Sequence, residues 1–366
     1  MNGLLICSGS SNTKNIGDYI QTVAQEQFWE NVDCFIEREA LNSIESNERI
    51  NVIMNGWFMW KPHNFPPADC INPLFVSFHV NPKCAQEFFC EKTIEYLKKY
   101  EPIGARDRGT QALLEKHGIK SYYSSCLTLT LGLKYKSNEK NGKIVFVDPY
   151  VYRKETPSLI IKSIFKAFID LLKYPIKSHR LAKLIDWTPT RISNYSRWLD
   201  CHMYMASFYD IYSKVFADEL LFNAVYVSHT IKNIGVSDED KMQQARNLIR
   251  FYAGAKLVIT SRIHAALPCL GIETPVIFIP SCGLDLTREN AGRFEGLECF
   301  FNIIRWKGGR LIIESKLIKD QIQKGERINS SINITNPDDF VYYRDTLIDT
   351  VKGFCNRCEI INAKDN

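Results

Sequence analysis

No apolar run in the 366-residue sequence approaches the roughly 20 residues that cross a bilayer, so no membrane-spanning helix is expected. The opening residues, MNGLLICSGSS, hold neither a basic leader nor a long apolar stretch, and a signal peptide is not expected. Net charge is slight: 46 basic against 41 acidic side chains leave +5, too little to name a partner. Glycine (19) and proline (14) are too sparse for a collagenous or low-complexity chain. Neither GxGxxG nor GxxxxGK[ST] occurs, so the dinucleotide and P-loop readings fail on the residues themselves. No HExxH occurs either, and no metal centre is expected. The twelve cysteines are scattered without tight pairing. In a chain of this size that reads as free thiols in a reducing, cytoplasmic compartment. No short-period repeat is visible.

What is present is an alternation of strand-like and helix-like segments, the pattern of an α/β fold with mainly parallel sheets. Strands are predicted at Leu4–Cys7, Val52–Met54, Leu74–Phe78, Tyr122–Ser125, Ile144–Val147, Val225–Val227, Lys256–Thr260 and Pro275–Ile279. Helices are predicted after Gly17-Asp18, from Gly109 to Lys116 before the His117-Gly118 stop, and from Asp238 to Tyr252. Asn336-Pro337-Asp338-Asp339 predicts the start of a C-terminal helix that Gly353 caps. The polar stretch KYKSNEKNGK (134–143) predicts a boundary between two Rossmann-like domains facing a cleft. The expected division is 1–140, 141–335 with a helical basic insert at about 151–222, and a tail at 336–366.

In open α/β sheets ligands sit beyond the carboxyl ends of strands, so the residues just after each strand are the candidates. The turn after Lys256–Thr260 is the richest: Ser261, Arg262 and His264 offer a hydroxyl, a fixed cation and an imidazole at the start of a helix. Such a set suits an anionic substrate that gains or loses a proton. The unit from Ser8 to Asp18 is rich in Ser, Asn and Gly and opens a helix, which suits an anion or an ordinary turn. Arg106-Asp107 reads either as a carboxylate or phosphate grip or as a structural pair. Arg293, in RENAGRFEGL (288–297), is a further loop cation. Asn55-Gly56-Trp57-Phe58 reads either as an aromatic platform for a sugar or as a packed turn. Cys355-x-x-Cys358 has no second ligand pair nearby and is not read as a zinc site.

The basic excess is concentrated. Residues 151–200 hold ten basic and four acidic side chains, interleaved with Phe165, Phe168, Tyr174, Trp187, Tyr195 and Trp198. Two readings follow: docking on an anionic bilayer surface, or a solvated helical face whose aromatics pack inward. No nucleic-acid motif accompanies the window, and a nucleic-acid partner is not expected.

With these residues in hand, the chain resembles the polysaccharide pyruvyl transferase family. The resemblance rests on NIGDYIQTVAQEQF (15–28), NGW (55–57), PIGARDRGTQALLEKHGI (102–119), SSCLTLTL (124–131), AGAKLVITSRIHAALPCLGIETPVIF (253–278) and RFEGL (293–297). It implies a fold like that of the GT-B glycosyltransferases, phosphoenolpyruvate as donor substrate and no cofactor. It also implies a cyclic pyruvyl ketal formed on two hydroxyls of a sugar, free or on a lipid- or nucleotide-linked glycan. On this reading His264, Arg262 and Arg106 are catalytic. Ser261, Arg262, Arg293, Asn15, Gly17 and Asp18 bind donor, and Asn55, Trp57 and His229 bind acceptor. Asp18, Asp107 and His229 are the choices for a second proton-transfer group. The rival readings are a glycosyltransferase using a nucleotide sugar and a non-catalytic glycan-binding relative.

Overall fold

The computed structural model describes residues 1–7, 15–151, 157–185, 197–231, 235–280, 294–323 and 325–365. Fourteen strands are present among them: β1 Asn2–Ile6, β2 Cys34–Glu37, β3 Ile50–Ile53, β4 Gly56–Phe58, β5 Ile71–Leu74, β6 Phe78–Val80, β7 Ile103–Ala105, β8 Ser121–Tyr123, β9 Ile144–Val147, β10 Val225–Val227, β11 Leu257–Thr260, β12 Val276–Phe278, β13 Asn302–Lys307 and β14 Arg310–Ile313. They form three sheets, ordered β2-β1-β3-β5, β4-β6-β7-β8 and β10-β9-β11-β12-β13-β14. All pairings are parallel except β13 with β14, a hairpin around Gly308-Gly309 in which both glycines have positive φ.

The central strands are apolar throughout because both of their faces are covered. Val145 and Val147 of β9, Val258 of β11 and Phe278 of β12 point into one core with the helices Ile16–Glu26, Asp238–Ala253 and Ile263–Gly271. Their neighbours Ile144, Phe146, Leu257, Ile259 and Ile277 point into a second core with the helix Arg197–Tyr212. The first core also takes in Leu4, Tyr19 and Ile20, so the two ends of the sequence share it. Polar contacts reinforce that join. Arg246 pairs with Glu26, and the Tyr19 hydroxyl donates to Asp238 Oδ1 at 2.5 Å.

Three local expectations are corrected. The run Leu74–Phe78 is not one strand: Ser77 has φ +53°, and the chain turns there from β5 in one sheet to β6 in another. The C-terminal helix spans Val341–Asp365 and starts after the Pro337 turn, because Asn336 is spent on Val276 N (2.9 Å) and Thr274 O (2.8 Å). It also passes through Gly353 without stopping. Phe354, Cys355 and Cys358 continue its buried stripe, and burial with the neighbouring Cys358 pushes the Cys355 thiol up to about 12.

Candidate functional site

Three parallel strands of the six-stranded sheet end side by side, and their carboxyl ends deliver Asp148 (β9), His229 (β10) and Ser261-Arg262 (β11). Asp148 is the hub. Its backbone sits in the left-handed region at φ +43°, a strained conformation held by the partners around it. Arg262 Nε donates to Asp148 Oδ2 at 2.7 Å, the His229 backbone N–H to the same oxygen at 3.2 Å, and the Ser261 hydroxyl to Asp148 O at 2.7 Å. Arg262 is half-exposed and is anchored through Nε, and among the described residues its terminal nitrogens make no hydrogen bond.

His264 occupies the first turn of the helix Ile263–Gly271 and is buried. It packs against Gly17, the second residue of the helix Ile16–Glu26. A Cβ on Gly17 would stand 3.0 Å from His264 Cβ and 3.1 Å from its Nδ1. Glycine is what lets the two helix starts approach so closely. Asn15 caps the first helix, accepting from Gly17 N at 3.2 Å, and the Ile16 N–H donates to His229 O at 2.9 Å. Asn15, Gly17, Asp18, His229, Ser261, Arg262 and His264 therefore belong to one neighbourhood, built from both halves of the chain. Two helix starts with their positive dipole ends meet beside a fixed cation, an arrangement suited to an anion.

His229 contributes its backbone to this hub, while its ring lies inward. Nε2 is 2.7 Å from the Tyr252 hydroxyl, and burial first, then the nearby Arg262, lowers the imidazole to about 4. The sign follows. The folded state keeps the ring neutral while the unfolded chain protonates near pH 6.5, so its contribution is complete above that value and is lost as pH falls toward 4. Lowering the pH from 7.5 to 5 is expected to cost roughly 2 kcal/mol through this group. Urea midpoints of the native chain and a His229→Asn variant at both pH values check it; equal slopes in the two proteins would refute the assignment.

One turn further along the first helix lies a polar pocket bounded by Cys7, Asp18, Gln21, Arg38, Asn55 and Gly56. Asn55 Nδ2 donates to Gln21 O at 3.2 Å; among the described residues Asn55 Oδ1 and Gln21 Oε1 are buried with no hydrogen-bond partner, and Arg38 Nε lies 3.6 Å from Glu39 Oε1. Arg38 Nη2 reaches Cys7 Sγ at 2.9 Å, and its guanidinium lies 5.5 Å from the centre of the Trp57 ring. Trp57 meets the half-exposed Trp60 edge to face at 4.7 Å. Asp18 thus joins the Arg262–His264 group to the Asn55–Trp57 group.

Arg106 is placed in the four-stranded sheet β4-β6-β7-β8, directly after β7. It is fully buried and pairs with its neighbour: Nε and Nη2 both lie 3.2 Å from Asp107 Oδ2, and among the described residues Nη1 has no hydrogen-bond partner. Asp107 also caps the helix Arg108–Lys116 through Thr110 N (2.8 Å) and holds His79 Nδ1 at 2.6 Å. Burial would raise this carboxyl, but His79 and Arg106 hold it at about 2, so it is a fixed anion and not a proton carrier near neutrality. Ser77 and Ser125 flank this region, both buried and both with positive φ. Arg293 lies outside the described residues; the nearby Gly296 accepts from the Tyr123 hydroxyl at 2.8 Å, and Glu295 O accepts from Arg108 N at 3.0 Å.

Asp148, Arg38 and His79 are functional candidates that the sequence reading passed over. Asp148 was findable, since it ends a predicted central strand. Arg38 and His79 gain meaning only from Cys7, Trp57 and Asp107, which fold against them from other segments.

These features define a class: an α/β protein with parallel, Rossmann-like sheets, whose strand ends gather arginine, imidazole, carboxylate and helix starts. The chain belongs to the polysaccharide pyruvyl transferase family, whose model matches residues 15–283. It is therefore a transferase with a pyruvyl-transfer role in polysaccharide synthesis. The match takes in every candidate site residue named above except Cys7 and Arg293. A comparison with curated proteins gives no match.

Proposed function

We propose that the chain moves the pyruvyl group of phosphoenolpyruvate onto two hydroxyls of one sugar, forming a cyclic ketal and releasing phosphate. The observation that carries this reading is the Arg262–Asp148 pair beside His264, where two helix starts meet. In the reaction the vinyl CH₂ gains a proton and becomes methyl, which leaves C2 as an oxocarbenium-like centre. Two sugar oxygens then bond to C2, its bond to the phosphate oxygen breaks, and the two hydroxyl protons balance the new methyl hydrogen and the departing phosphate.

Arg262, steadied through Nε by Asp148, holds the donor's carboxylate or phosphate with its terminal nitrogens. His264 transfers a proton at the reacting centre. His229 acts as a positioning residue, through Asp148 and Ile16. Asn55 and Trp57, with Arg38 behind them, take the acceptor sugar. We assign Arg106 to donor binding and residues 1–140 and 141–335 to two GT-B-like domains with the site between them. A phosphoenolpyruvate donor places the reaction in the cytoplasm.

The test is incubation with phosphoenolpyruvate and a panel of nucleotide- and lipid-linked sugars, following phosphate and the ketal methyl resonance. Both signals rising together support the reading. Release of a nucleoside diphosphate from a nucleotide sugar instead would overturn it.

Arg262→Lys keeps the charge and removes the planar fork. It is expected to lower kcat/KM for phosphoenolpyruvate at least about tenfold, or about 1.4 kcal/mol. Unchanged kinetics in this folded variant would remove Arg262 from donor binding.

A further inference from the structure

The helix Pro157–Lys173 is anchored by one side and apolar on the other. On its inner side Ala167 and Asp170 are buried, and Asp170 Oδ2 accepts from Lys166 (2.6 Å) and from Ser207 (3.1 Å) of the helix Arg197–Tyr212. The opposite stripe, spaced i, i+1, i+4, i+5 and i+8, is Ile164, Phe165, Phe168, Ile169 and Leu172. All are exposed, Phe165 and Leu172 by 67%. Ile176, at the start of the helix Pro175–Leu184, continues the stripe and is 80% exposed. The expectation that the aromatics of this window pack inward is corrected for Phe165, Phe168 and Trp198, which are exposed; Tyr174 does pack, against Tyr209. Trp187 and Tyr195 lie outside the described residues.

A contiguous apolar stripe of this size on a folded chain marks a surface that something covers. Charge says what. Across the two helices the basic residues are Lys162, Lys166, Lys173, Lys177, Arg180 and Lys183, and the sole carboxylate is the buried Asp170. Lys166, Lys173 and Lys177 are taken up by Asp170, Asp210 and Asp218, whereas Lys162, Arg180 and Lys183 have no carboxylate partner among the described residues. Apolar side chains with Lys162, Lys166 and Lys173 along one edge suit a surface that is apolar below and anionic above. A second copy of the chain suits them poorly, because a twofold contact would set lysine against lysine.

We propose that this face docks on an anionic phospholipid bilayer, the helix lying in the interface plane with its apolar stripe among the upper acyl chains. No helix of the described residues is long and apolar enough to cross a membrane, and the attachment proposed is through this face alone. The proposal stands apart from the donor and acceptor chemistry and is tested without it.

The full chain is sedimented with phosphatidylcholine vesicles of rising phosphatidylglycerol content, at low and moderate salt. Binding is expected to grow with the anionic lipid and to fall with salt. Phe165→Ser, Phe168→Ser and Leu172→Ser together are expected to weaken it at least about tenfold. Lys162→Gln, Lys173→Gln and Lys183→Gln are expected to abolish its dependence on phosphatidylglycerol. All six positions are exposed and, of the three lysines, only Lys173 meets a carboxylate, Asp210 at 4.0 Å, so thermal melts should move little. Absence of vesicle binding at low salt would overturn the proposal. So would a dimer that the serine variant dissociates while vesicles bind neither protein.

Discussion

Replacing His264 with alanine is expected to lower kcat for ketal formation by about 10²–10⁴-fold, the range for losing a positioned acid–base group. Imidazole is the side chain whose ordinary titration range lies nearest neutrality, and pyruvyl transfer requires one proton delivered to carbon and others removed from hydroxyls. Position supports the same role: His264 stands in the first turn of its helix, two residues from Arg262, and packs on Gly17. His264→Gln keeps a hydrogen-bonding side chain of similar reach but does not titrate. It is expected to be as slow as the alanine variant, with an altered pH–rate profile. Phosphate release and the methyl resonance, measured with phosphoenolpyruvate varied, separate kcat from KM. Glutamine restoring the native rate would reduce His264 to a positioning residue.

The second large effect is on stability, and it arises behind the site. Gly271, at the end of the His264 helix, lies against the short 3₁₀ segment Leu127–Leu131. A Cβ there would fall 2.8 Å from Thr128 O and 2.7 Å from the Leu129 carbonyl carbon, closer still to Leu129 O. The contact is reciprocal, since a Cβ on Gly132 would strike Gly271 O. These neighbours are backbone atoms and cannot swing aside as a flexible side chain would. Gly271→Ala is expected to destabilise the fold by about 3 kcal/mol, the upper part of the overpacking range. Gly353→Ala is the control. That helical residue has only the Arg357 side chain near its missing Cβ, at 3.6 Å, and alanine there is expected to stabilise by up to about 1 kcal/mol. Urea denaturation of both variants checks the pair. Equal midpoints would mean that the backbone contact at Gly271 yields easily.

Much of this was readable along the chain because it depends on neighbours in sequence. Apolar runs bounded by polar turns marked the strands around Leu257–Thr260 and Ile144–Val147, and the turn that follows each carries site residues. Gly118, with φ +69°, ends its helix where a glycine stop was expected. Short strands with little pattern were missed: β2, β4 and the β13–β14 hairpin exist because partners are beside them. Gly353 misled because a glycine marks a helix end only when the apolar stripe also ends there. Asn336-Pro337 misled because an asparagine able to cap a helix was drawn instead to the backbone beside β12.

The candidate site divides along the same line. Residue type and order were enough to select Ser261, Arg262 and His264, since one strand and one helix start place all three. The meeting of Gly17 with His264, the service of Asp148 to three partners and the inward turn of His229 onto Tyr252 join segments far apart in sequence. No periodicity encodes such meetings. They come from burying the two faces of the central sheet at once, which brings the start of the first helix onto strand ends formed more than a hundred residues later. The outward face of the 157–173 helix was settled in the same way. One of its sides carries Lys166 and Asp170, and the Lys166–Asp210 ion pair together with the Ser207–Asp170 hydrogen bond holds that side on the helix Arg197–Tyr212, which leaves the apolar stripe to face out.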